Sequence, residues 1–128
     1  ITEGLVGSEM CIRDSVIALD VLRALQRSPE AGEAFVTELS LAAGGDVVFD
    51  RELAALKRQI ATPVDEADAR RLVEQLALCW GASLCLRHEP EIADAYIRSR
   101  LDGDWGSEFG TLSSNVRLDR LARRACAV

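Results

Sequence analysis

Four arginines near the end of the chain, Arg117, Arg120, Arg123 and Arg124, are the residues whose type and spacing come nearest to a recognisable chemistry. On a helix running from about Ser114, Arg117, Arg120 and Arg124 fall along one face. Guanidinium groups so placed can track the phosphates of a nucleic-acid backbone, with binding that falls steeply as salt rises. The competing reading is structural. Basic residues suit a helix C-terminus, Asp119 dilutes the patch, and the whole chain carries a net charge of −6.

The other chemistry-bearing residues point to structural roles. His88 is the single histidine and falls where a long helix should end, so its ring suits the free carbonyls there. Cys79 and Cys85 are six residues apart, about 120° around a helix, and do not converge on one ligand; with Cys126 they show no metal-binding or disulfide spacing. They read as small buried apolar groups. Asp65, Glu66 and Asp68 crowd a helix start as dipole partners. Gly44-Gly45 lacks the strand-loop-helix setting of a phosphate loop and reads as a turn. Trp105 and Phe109, among Gly103, Gly106 and Gly110, form either a stacking platform or, as we expect, an anchor that pins a loop onto the body.

Helices must position all of these. Ile17, Val21 and Leu25 predict a helix over Val16 to Arg27, stopped by Ser28-Pro29. Ser28 as cap and Pro29 at the first position start a second, running to about Ala43 before Gly44-Gly45. Asp46 caps a third, whose apolar stripe is Phe49, Leu53, Leu56 and Ile60. Thr62 and Asp65 resemble a capping box opening the longest helix, Pro63 to about His88. Its segment Leu76 to Leu86 is apolar nearly all round and predicts the centre of a bundle. Pro90 opens a fifth helix to about Leu101, closed by Asp102-Gly103, and a loop leads to the short arginine-bearing helix. Val47-Val48-Phe49 is too short for a strand. The expected fold is an all-α bundle of five to six helices with one core.

The first fifteen residues differ in texture from the rest, and Val6 to Ser15, VGSEMCIRDS, resembles a translated sequencing adapter. The expectation is that residues 1–15 are non-native, that residues 16–128 form the domain, and that the natural protein continues upstream of Val16. Setting that segment aside removes Glu3, Glu9, Asp14 and Arg13, which leaves a net charge of −4. Fourteen arginines against the single Lys57 read as the bias of a GC-rich genome. The longest uncharged run, Gln75 to Leu86, is too short to cross a bilayer, no secretory signal is evident, and the cysteine usage fits a reducing cytoplasm.

Taken together, LDVLRAL (Leu19 to Leu25), RRLVEQLALCWGASLCLRH, IADAYIRSRLDGDWGSEFGTL and the arginine-rich end resemble one family. It is the C-terminal helical domain of the acyl-CoA dehydrogenase homologues called DNA alkylation response proteins, near the isovaleryl-CoA dehydrogenases. The resemblance covers about 16–128. It implies a flavoprotein oxidoreductase that binds FAD and assembles as a homotetramer, with a glutamate base in a Trp-Glu-Gly-Ser-Gly-Asn type segment that would directly precede Val16. A carboxylate takes the α-proton while the β-hydride goes to the flavin, so both must be pre-positioned. The implied role of this piece is packing and oligomerisation, without catalytic residues, bound FAD or dehydrogenase activity of its own. The resemblance also implies DNA contact through this domain, which makes Arg117, Arg120 and Arg124 the backbone-binding candidates.

Overall fold

No proline interrupts the chain before Pro29, and the first helix takes full advantage of this. In the computed structural model, which describes residues 2–127 and the side chains of 12–127, α1 is Thr2–Arg27. The sequence reading starts this helix at Val16. The backbone instead passes Ser15 and Val16 without a break, because extending a formed helix adds a hydrogen bond for each residue fixed and Gly4 and Gly7 weaken it without stopping it.

Pro29 opens α2, Pro29–Ser40. The Ser28 side chain does not cap it: its hydroxyl donates to Glu30 Oε2 at 3.4 Å, and only its backbone carbonyl serves the helix, accepting from Ala31 N at 3.0 Å. The expected run to Ala43 ends at Ser40. The N–H groups of Leu41, Ala42 and Ala43 reach back three residues to Glu38, Leu39 and Ser40, tightening the chain into turns. Gly44 then adopts φ +84°, a conformation open to glycine, and its N–H donates to the Asp50 carboxylate at 2.9 Å.

Asp46 caps α3, Val47–Ile60, as its type predicts, accepting from Val48 N at 2.8 Å and Phe49 N at 3.1 Å. Phe49, Leu53 and Leu56 are buried and Ile60 half-buried, which is the expected stripe. The capping box at Thr62 does not form. The Thr62 hydroxyl donates backward to the Arg58 and Gln59 carbonyls, which turns it toward the end of α3. Asp65 caps a short 3-10 turn, Glu66–Asp68, through Ala67 N at 3.0 Å. Consequently α4 begins at Ala69 and not at Pro63, and spans Ala69–His88.

That helix is the hub, packing against α1, α2, α3 and α5 (Pro90–Tyr96). In its C-terminal half the inward positions are small: Cys79, Ala82 and Ser83 are buried, and a β-carbon on Gly81 would lie 2.2 Å from the Tyr96 hydroxyl of α5. The expectation that α4 is enclosed on all sides is corrected. Trp80 and Leu84 are each 38% exposed, with Trp80 stacked on Phe35 of α2 at 5.2 Å and 22°. The neighbouring helices do not cover its whole circumference, so one stripe stays uncovered. Arg87 of α4 pairs with Glu38 of α2 at 2.5 Å.

After Tyr96 the fifth helix widens into a π turn, Ile97–Leu101, in which Asp102 N reaches back five residues to Ile97 O at 2.9 Å. The last helix, α6, is Leu118–Cys126. The architecture is an all-α bundle of six helices, with no strand among the described residues. No helix among them is long and apolar enough to cross a membrane. Asp46→Ala should lower stability by about 1 kcal/mol in chemical denaturation, with Asp46→Asn close to the unaltered chain, because both side-chain acceptor bonds at the start of α3 are lost only in the alanine variant.

Candidate functional site

The loop and helix that carry the arginines are built on the π turn. Ending a helix leaves carbonyls without partners, and the Trp105 indole N–H takes one of them, donating to Ser99 O at 2.8 Å. This fixes Trp105 while leaving it 58% exposed. The loop then closes on itself: Ser113 N donates to Asp104 O at 3.3 Å, Gly106 N to Thr111 Oγ1 at 2.8 Å, and Thr111 Oγ1 to Glu108 O at 2.7 Å. Trp105 is therefore an anchor, as expected. Phe109 is not: at 106% relative exposure it touches nothing that shields it, because Gly110 at φ +83° turns the chain immediately after it.

The arginine face is only partly realised. Val116 is buried beneath a turn, and α6 begins at Leu118, so Arg117 precedes the helix and does not share a face with Arg120 and Arg124. Leu118 and Leu121 face the groove that runs along α5 beside Ala95. Arg117 forks onto Asp119 with two bonds of 3.3 Å, holding that carboxyl below its ordinary range. Arg124 forks onto Glu89 at the junction of α4 and α5, with its Nη2 donating to Oε1 at 2.8 Å and its Nη1 to Oε2. Hydrogen bonding from Arg124 lowers the Glu89 carboxyl below its ordinary 4.5. Arg120 and Arg123 are exposed and make no ion pair among the described residues.

The remaining candidates sit where structural roles put them. His88 is exposed in the last turn of α4, where Glu89 N closes the helix onto Cys85 O at 2.8 Å. Burial pushes the Cys79 thiol up to about 11, with the Glu52 charge adding to it, so it is no nucleophile. Burial also raises Cys85, while Cys126 is exposed. Cys11 lies outside the described side chains. No group of three or more His, Cys, Asp or Glu among the described residues could hold a metal.

A groove of about 550 Å³ that sequence reasoning misses lies between α1, α2, α3 and the Pro63-Val64 segment, walled by Leu25, Val36, Ile60 and Leu72 with Lys57 at its rim. A second, of about 540 Å³, lies under the Trp105 loop against α6. The first groove offers apolar walls with the polar groups of Gln26, Glu33, Lys57 and Thr62. The groove escapes sequence inspection because its walls come from four separated segments, and the Glu89–Arg124 pair escapes it because 35 residues separate the partners.

Comparisons with protein-family models, curated proteins and solved structures returned no match to this chain.

Because the Glu89 carboxyl is lowered in the folded chain, the clamp's contribution is complete above pH ~4.5 and is lost as pH falls through the lower, folded value. Glu89→Gln should reproduce the acid state at neutral pH. Amide exchange over 118–126 should speed up severalfold in that variant while exchange over α4 stays unchanged.

Proposed function

We propose that this chain is a packing and oligomerisation domain of an acyl-CoA-dehydrogenase-like flavoprotein of the DNA alkylation response type. It brings neither the carboxylate base nor the FAD site of such an enzyme. The observation that carries the reading is a set of large apolar side chains left in water on two packed helices: Val16 and Ile17 on α1, and Trp80 and Leu84 on α4. Scattered apolar residues are ordinary on a surface, but clusters on adjoining helices favour a covering partner. Each side chain withdrawn from water adds roughly 25 cal/mol per Å² of apolar area to association. A homo-oligomer, tetrameric by the family resemblance, is the assembly this supports.

Sedimentation velocity tests it. The unaltered chain should self-associate, and Ile17→Glu with Leu84→Glu should shift it toward monomer without loss of helical circular dichroism, since both positions are exposed. A chain that stays monomeric at every concentration, or a yellow preparation that oxidises acyl-CoA, overturns the reading.

A second reading, DNA-backbone contact through α6, is favoured by one observation: Arg120 and Arg123 stand exposed without an acidic partner among the described residues. Arg117 and Arg124 would first have to leave Asp119 and Glu89. For three phosphate contacts, anisotropy with a random duplex should give a log-log salt slope of about −3, and charge reversal at Arg120 and Arg124 should weaken binding. No binding at ~50 mM salt sinks this reading for the isolated chain.

A further inference from the structure

The tightly knit loop over Trp105 presents Phe109 outward, and the groove between α1, α2 and α3 is an apolar cleft with no aromatic side chain in its wall. We propose that Phe109 of one copy of this chain seats in that groove of a second copy, with Glu108 meeting Lys57 at the rim. This rests on the oligomerisation reading and names one pair of surfaces for it.

Three observations select a second copy as the occupant. First, Phe109 is wholly exposed on a loop that is not slack: its two ends are joined at Asp104 and Ser113, and Thr111 ties its interior to Gly106 and Glu108. A ring held out by a closed hydrogen-bonded loop is set before any partner arrives, so little ordering remains to be done on contact. Second, the groove has the volume of clefts that take compact organic groups, about 300 to 1,000 Å³. Its walls, Leu25, Val36, Ile60, Val64 and Leu72, suit an aromatic ring. It shares no lining residue with the groove beneath the Phe109 loop, so knob and cleft are built on different segments of one chain.

Third, the charges beside knob and cleft are opposite and free. Lys57, the chain's single lysine, lies at the rim in the last turn of α3, and Glu108 adjoins Phe109. Neither makes an ion pair among the described residues. Glu33 lies on the α2 side of the cleft, so the loop must enter with Glu108 on the α3 side, which gives the contact one orientation. Each copy gives one Phe109 and receives one. The contact therefore closes reciprocally in a two-fold pair or passes head to tail, in a ring or an open filament.

The test uses the full chain in sedimentation velocity over a concentration series. Phe109→Asp should reduce association at least tenfold, and because the side chain is exposed it should leave the melting temperature unchanged. Lys57→Glu and Glu108→Lys should each weaken association severalfold, and the double variant should recover most of the loss, a rescue that a folding defect cannot produce. If the chain associates but Phe109→Asp behaves like the unaltered protein, the groove belongs to another ligand or to none and the proposal fails, while the oligomerisation reading stands. A chain that is monomeric throughout overturns both.

Discussion

The bundle depends on how closely α5 can approach α4. Gly81 lies directly beneath Tyr96, at a distance where even a methyl group would meet the phenol oxygen, and Cys79, Ala82 and Ser83 keep the surrounding face of α4 equally low. Small residues on a central helix let four neighbours gather around it, and dense packing leaves little slack to absorb a larger side chain. Larger apolar residues then complete the core from the outer helices: Leu22 from α1, Leu39 from α2, Phe49 and Leu56 from α3, and Ile97 from the π turn. Because α4 gives up volume on its inner face, its bulkier Trp80 and Leu84 stand on the outer one. Core and exposed stripe are two sides of one allocation.

The same helix positions everything beyond it. Its C-terminus meets Glu89, which holds Arg124 and thereby the otherwise lightly packed α6, in which no residue is fully buried. Arg51 of α3 reaches Asp102 at 3.4 Å, and Arg98 reaches the same carboxylate at 3.7 Å, so the exit of the π turn is fastened from two directions. Exposed pairs of this kind add little individually to global stability. Their effect here is local, since they fix the direction of the 103–117 segment.

Much of the fold is legible in the sequence because its punctuation is local. Pro29, Asp46, Pro90 and the Gly44 turn act within a few residues of themselves, and the helices start or stop where those residues require. The stripe Phe49, Leu53, Leu56 buries as its period demands. What the sequence conceals are competitions. Thr62 had two possible sets of partners, and its hydroxyl takes the Arg58 and Gln59 carbonyls behind it. Arg117 loses its place on the α6 face because Val116 is buried in a turn, a tertiary demand with no local mark. The candidate surfaces are less legible still. Phe109 in a glycine-rich stretch reads as an anchor or part of a stacking platform, and its exposure on the closed loop rules out the anchor.

The π turn at Ile97–Leu101 also sets the direction in which the chain leaves the bundle. Geometrically it is a helical turn that holds one residue more than an α-helical turn does. Each residue of an α-helix advances about 100° around the axis. The extra one therefore turns the direction of the following loop by about that angle. The outward aim of Phe109 is in that sense a matter of counting residues through one turn.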